Sequence, residues 1–177
     1  MKKQNQTVYC GVFAALTAVL AQIALPMPSG IPITLQTFAV ALYGYLFPPA
    51  LALRTTLVYL ACGAVGLPVF GLMRGGIAVL LGPTGGFLWG FLFYSVFCTL
   101  PLQSKLLRLI CGIGGLLLCH LAGAVQYCIL GEIPPLSVLL TLTLPLFPKD
   151  LILLIGALLL SAPCKKALER SAGKLPF

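Results

Sequence analysis

Charge is what this sequence has least of. Only 8% of its 177 residues are charged while 60% are hydrophobic, where a soluble domain carries roughly 25% charged residues. A water-facing surface cannot be built from that inventory, so a soluble globular fold is excluded and an integral membrane protein is indicated. Acids are scarcest: Glu132, Asp150 and Glu169 are the whole set. Neither an HExxH nor a GxSxG motif is present, and no paired acid and base stands out. The glycine-rich stretch 66–91 lacks the Lys-Ser/Thr that completes a phosphate-binding P-loop. An autonomous hydrolase or ATPase is therefore set aside, and any ATP-driven work falls to a partner. The seven cysteines, Cys10, Cys62, Cys98, Cys111, Cys119, Cys128 and Cys164, never form a C-x-x-C pair. Metal, redox and disulfide-framework readings lose their footing, and small buried helix-packing residues are expected instead. No cofactor is called for.

What is present is a succession of apolar runs cut by Pro, Gly and charge. The cuts predict six spans near 8–25, 34–47, 50–66, 79–100, 106–130 and 148–163, with the second and sixth short. A spanning helix takes about 20 residues, so one domain over 1–177, an all-α bundle of six transmembrane helices, accounts for the chain. Lys2 and Lys3 before the run 8–25 suit a signal peptide, yet apolar segments continue to 162, which favours a first transmembrane helix. With both termini placed in the cytoplasm, Lys2, Lys3, Arg54, Lys105, Arg108, Lys165, Lys166, Arg170 and Lys174 fall inside, and Arg74 and Lys149 outside. That asymmetry obeys the positive-inside rule and explains the net charge of +8 without nucleic acid. The outside connections are long, apolar and rich in Gly and Pro, as suits segments that fold back and line a site.

Several residues carry candidate roles. Ala14 and Ala18 lie four apart on the first span, a spacing that suits either packing within the bundle or docking of a partner helix. Cys111, Gly115, Cys119 and Gly123 repeat a small residue at every fourth position of the fifth span, a helix-packing stripe, and His120 points away from it in a structural role. Gln126 is the better ligand candidate because its amide both donates and accepts. Lys149 and Asp150 open the last span; such ionisable groups are functional candidates, against the alternative of a helix-dipole partner and a snorkelling lysine. In GPTGG, Gly82, Gly85 and Gly86 let backbone approach a ligand, Thr84 offers a hydroxyl, and Phe87 and Trp89 offer flat apolar walls.

The segments PITLQTFAV (32–40), GAVGLPVF (63–70), LLGPTGGFLWGF (80–91) and LFPKDL (146–151) together resemble the BioY family over nearly the whole chain. Its members are the biotin-specific substrate-capture (S) components of energy-coupling-factor vitamin transporters. The resemblance implies a multi-pass protein of the prokaryotic cell membrane with both termini cytoplasmic and an outer cavity roofed by the loops after the first and third spans. It implies biotin as ligand, and as partners a transmembrane scaffold subunit, docked through Ala14 and Ala18, and two cytoplasmic ATPases that use the ATP. Asp150 matches the family aspartate that accepts hydrogen bonds from the ureido N–H groups of biotin. The lysine usually found three residues later is Leu153 here. Arg74 is the expected substitute for meeting the ligand carboxylate, with Lys149 the alternative; Thr34 and Gln36 complete the expected site. A stand-alone facilitator, a receptor for another vitamin or a biotin relative, and a non-transporting packing protein of the membrane are the competing readings.

Overall fold

The computed structural model describes residues 3–27 and 30–172; Lys2 and Lys174, counted above for orientation, lie outside them. Helix α1 (Lys3–Gln22) leads through a two-residue antiparallel ribbon, β1 (Ala24–Leu25) against β2 (Ile33–Thr34), into α2 (Gln36–Leu46). Then follow α3 (Pro49–Ala64), the short α4 (Ile77–Leu81), α5 (Gly85–Cys98) and α6 (Lys105–Gly131). A last rod is made of α7 (Pro135–Val138), a π-helical turn (Leu139–Thr143) and α8 (Leu144–Ala172).

Apolarity is distributed inside out. Along α6 the buried side is Gly112, Gly115, Leu116, Cys119, His120 and Gly123, while Leu106, Leu107, Ile110, Leu117, Leu121, Val125 and Ile129 point outward. Water would penalise such a face, whereas lipid does not, and small residues inside let helices approach closely. Two stretches, Lys105–Gly131 and Pro135–Arg170, are long and apolar enough to cross a membrane. The small-residue stripe packs as expected: α5 and α6 share the most extensive contact, and a Cβ on Gly90 would stand 2.7 Å from Cys119 Cα. Three cysteines, Cys10, Cys98 and Cys119, are buried, whereas Cys62, Cys111, Cys128 and Cys164 are only half covered.

The centre is α2. Nearly all of its 11 residues are buried, and at about 1.5 Å per residue it is too short to cross a hydrocarbon core of about 30 Å by itself. Its shortness is tolerable because protein meets its polar groups. In mid-bundle the Tyr43 hydroxyl is 2.7 Å from Thr56 Oγ1, which donates to Ser95 Oγ at 3.1 Å, tying α2, α3 and α5 together.

Two boundaries differ from the sequence reading. The span expected at 79–100 is two helices, parted at Gly82–Thr84. The last span is not short: the helical rod begins at Pro135, 13 residues before the expected Pro148, and Pro148 and Pro163 sit inside α8. Prolines that would stop a helix in water are carried through here, because away from water the remaining backbone bonds have no other partner to turn to.

Candidate functional site

The site forms where the start of α2, the middle of α6 and the early part of α8 meet. Pro148 cannot donate a backbone hydrogen bond within α8, and directly after it come Lys149 and Asp150. Asp150 is 4% exposed, so its charge must be met by protein or ligand. Three groups do so, one each from α2 and α6 and its own neighbour Lys149. Thr37 Oγ1 of α2 donates to Oδ1 at 2.6 Å. Lys149 Nζ pairs with the same oxygen, and also donates to Thr34 O at 3.0 Å. His120 Nε2 of α6 stands 3.1 Å from Oδ2. A carboxylate only accepts, so Nε2 carries a proton; Nδ1 has no partner among the described residues. The imidazole is held edge-on between Phe87 and Phe147, with centroids 5.6 and 5.4 Å away. Oδ1 thus takes two donors and Oδ2 one, so Oδ2 has the spare capacity for a ligand N–H.

A second polar line runs from floor to roof. Thr34 Oγ1 donates to Gln36 Oε1 at 2.9 Å, Gln36 Nε2 donates to the Tyr59 hydroxyl, and that hydroxyl donates to Val69 O at 3.0 Å. The β1–β2 ribbon fixes Thr34, and Val69 belongs to the loop after α3. This loop is fastened by Gln22 at the end of α1, whose amide donates to Phe70 O at 3.2 Å and Pro68 O at 3.3 Å and accepts from Met73 N at 2.9 Å. Leu72 and Met73 adopt positive φ, 60° and 57°. Left-handed backbone costs a non-glycine residue energy and persists only where contacts impose it. Here it turns Arg74 over the cavity mouth.

The cavity encloses about 660 Å³ to its open mouth and is lined by Thr34, Gln36, Thr37, Phe70, Arg74, Thr84, Phe87, Phe91, His120, Lys149 and Asp150 among others. Arg74 is exposed; its carbonyl accepts from Phe70 N at 2.9 Å, but its guanidinium makes no hydrogen bond or ion pair among the described residues, whereas Lys149 is committed to Asp150. The structure therefore gathers seven of the expected residues, Asp150, Lys149, Arg74, Thr34, Gln36, Thr84 and Phe87, around one space.

Three others lie elsewhere. Gln126 donates to Leu80 O at 3.1 Å and Gly82 O at 2.7 Å, and Trp89 Nε1 donates to Leu80 O at 3.1 Å. They close the carbonyls that the Gly-Pro break between α4 and α5 leaves open, a structural need of any interrupted membrane helix. Gly85 and Gly86 face α4 and α6, where an added Cβ would strike Leu80 O and Ala122 O; they permit helix approach rather than ligand approach. On α1, Ala14 is buried in the core and Ala18 packs against it, so the packing reading of that pair describes its position. The exposed small residues of α1 are Gly11 and Ala15.

Residues passed over in the sequence are Thr37, Gln22 and Tyr59, while His120, expected to point away from the small-residue stripe in a structural role, lies on the same buried side and pairs with Asp150. Thr37 stands within PITLQTFAV in the first turn of α2, just after Thr34 at the end of β2, and both line the cavity. For His120 the only available signal was that a lone ionisable group inside a span needs a partner.

Comparison with known proteins follows this geometry. The sequence profile of the BioY family matches residues 1–170. The chain is 39% identical over 101 residues to the biotin transporter BioY of Thermotoga maritima, covering 57% of this chain and 59% of that protein. It is 47% identical over 79 residues to the biotin transporter BioY2 of Lactococcus lactis, 45% of this chain and 43% of that one. The chain thus spans about half the length of these relatives. A crystal structure of the S-component for biotin from an ECF-type ABC transporter superposes with TM-score 0.85 at 25% identity, covering 93% of each chain. On the match across 1–170, the chain belongs to the BioY family.

Proposed function

We propose that this protein is a membrane receptor for biotin, the S component of an energy-coupling-factor uptake transporter. The observation that carries the reading is the disposition of charge in the cavity: Asp150 held inside by Thr37, Lys149 and His120, and Arg74 left without a protein partner at the mouth. Biotin has the complementary layout, a cyclic urea whose N–H groups donate and, at the end of an apolar chain, a carboxylate. The ureido group would reach Asp150 Oδ2 on the cavity floor, the ring would lie against Phe87 and Phe91, and the carboxylate would meet the guanidinium fork of Arg74.

In this reading six spans cross the cell membrane with both termini in the cytoplasm, and the cavity opens outward under the loops after α1 and α3. The protein itself does no ATP chemistry. A scaffold subunit and two ATPases supply the work, and on α1 the scaffold would meet the exposed Gly11 and Ala15 before the buried Ala14. Calorimetric titration with biotin and with its methyl ester tests the site as a whole. Biotin is expected to bind at least about 10-fold more tightly than the ester, the worth of one charge-assisted pair. Absence of heat with both would overturn the ligand, and equal affinity would overturn the role of Arg74.

A further inference from the structure

The loop after α3 has two halves that are held in different ways. The first is anchored in the bundle: Phe70 is 2% exposed, its ring meets that of Tyr59 edge-on at 5.6 Å, and the Tyr59 hydroxyl donates to Val69 O at 3.0 Å. A Cβ on Gly63 would fall into the space of the Phe70 ring, so the absence of a side chain there leaves α3 a socket for it. The second half has no such anchor, since Leu72, Met73 and Arg74 are exposed.

This second half is also the strained one. Two successive non-glycine residues, Leu72 and Met73, carry positive φ, and such backbone persists only where its surroundings impose it. Phe70 N donates to Arg74 O at 2.9 Å, which closes the turn on itself. Gln22, the last residue of α1, ties the turn to the bundle: Met73 N donates to its Oε1 at 2.9 Å, and its Nε2 donates to Phe70 O at 3.2 Å. Nε2 also donates to Ala18 O at 3.0 Å, closing one of the last carbonyls of α1. Ending the helix requires that bond alone. The acceptor side of the amide, spent on Met73 N, has no part in ending the helix and answers to the loop.

Arg74 follows Met73 directly, so the path of the turn sets where the guanidinium sits. Resting on the reading of Arg74 as the partner of the ligand carboxylate, we propose that Gln22 is its positioning residue. It latches the strained turn to α1, keeps the guanidinium at the cavity mouth and so sets the preference for a ligand that ends in a carboxylate. Gln22 is not among the residues lining the cavity, so it acts through Arg74. Its effect is confined to the charged end of the ligand, because the other end meets Asp150, which Thr37, Lys149 and His120 hold without help from the loop.

The test titrates the full chain in detergent with biotin and with its methyl ester, by calorimetry, in the wild type, Gln22→Met, Arg74→Ala and the double variant. Methionine keeps the length of the side chain and removes both ends of the latch. Gln22→Met is expected to weaken biotin about five- to ten-fold and the ester less than about two-fold. In the Arg74→Ala background the same change should alter biotin affinity less than about two-fold, because no guanidinium remains to be positioned. Parallel loss of both ligands, an undiminished preference for biotin, or losses that multiply in the double variant would overturn the proposal. Gln22→Ala takes the place of Gln22→Met if the latter does not fold. Should Arg74→Ala itself leave the preference intact, the carboxylate reading of Arg74 fails and the positioning role with it; a preference lost in Arg74→Ala but kept in Gln22→Met strikes Gln22 alone.

Discussion

The two ends of the bundle are built by the same three helices and solve opposite electrostatic problems. At the cavity end, α2, α6 and α8 bring Thr37, His120 and Lys149 around one carboxylate, so the buried charge is matched before any ligand arrives. At the other end Arg108 of α6 is held by the Tyr45 carbonyl and ring of α2 rather than by a carboxylate. Matched charge suits reversible capture, because a ligand N–H can share an oxygen that is already solvated by protein. The difference also separates two cations at the cavity end: Lys149 is spent on Asp150, and only Arg74 remains to be matched.

Breaking the carboxylate should have the largest effect. Asp150→Asn leaves Lys149 without its counter-ion and gives Thr37, His120 and the ligand a weaker acceptor to share. Each charge-assisted bond is worth about 1.5–3 kcal/mol, so biotin affinity is expected to fall by about 100-fold or more in calorimetry. A fall of less than about 10-fold would show that the carboxylate does not contact the ligand. Arg74→Ala should come next: about 30-fold for biotin and less than about three-fold for the methyl ester. Loss of both ligands in parallel would mean that Arg74 shapes the loop rather than pairing with the acid.

His120 sharpens the comparison by asking how Asp150 is held. His120→Phe keeps an aromatic ring between Phe87 and Phe147 but removes the donor to Oδ2, whereas His120→Gln restores a donor at similar reach. About a 10-fold loss is expected in the first, recovered within about three-fold in the second. Equal losses would assign the histidine to packing alone.

How much of this was legible in the sequence depends on whether a residue announced itself by chemistry or by environment. Asp150 and Arg74 were legible because ionised groups are so few that each demanded a role. The stripe of Gly115, Cys119 and Gly123 was legible because helical spacing alone brings those positions to one face. Gln126 was misread for a reason of environment: an amide can serve a ligand or a broken helix, and only the fold shows Leu80 O and Gly82 O within its reach. Gly85 and Gly86 were likewise assigned to a ligand when they answer to Ala122 and Leu80. The start of the last rod was missed because proline is scored against water, and this helix does not face water. His120 needed a long-range pairing across 30 positions that no local pattern encodes.

The smallest expected effect tests whether the two ends are independent. Arg108 stands about 18 Å along α6 from His120, and a unit charge at that distance acts on the Asp150 region with about 0.9 kcal/mol at an effective dielectric constant of 20, less where head groups and water screen it. Arg108→Gln should therefore change biotin affinity by no more than about four-fold. A larger change in biotin affinity could not be electrostatic at that range. It would have to travel mechanically through α6 or α2, by release of the Tyr45 carbonyl and a shift of Thr37 eight positions earlier on the same helix. Asp150 would then lose its 2.6 Å bond from Thr37, and the variant would resemble Thr37→Val in both affinity and thermal shift, which distinguishes a coupled bundle from two independent ends.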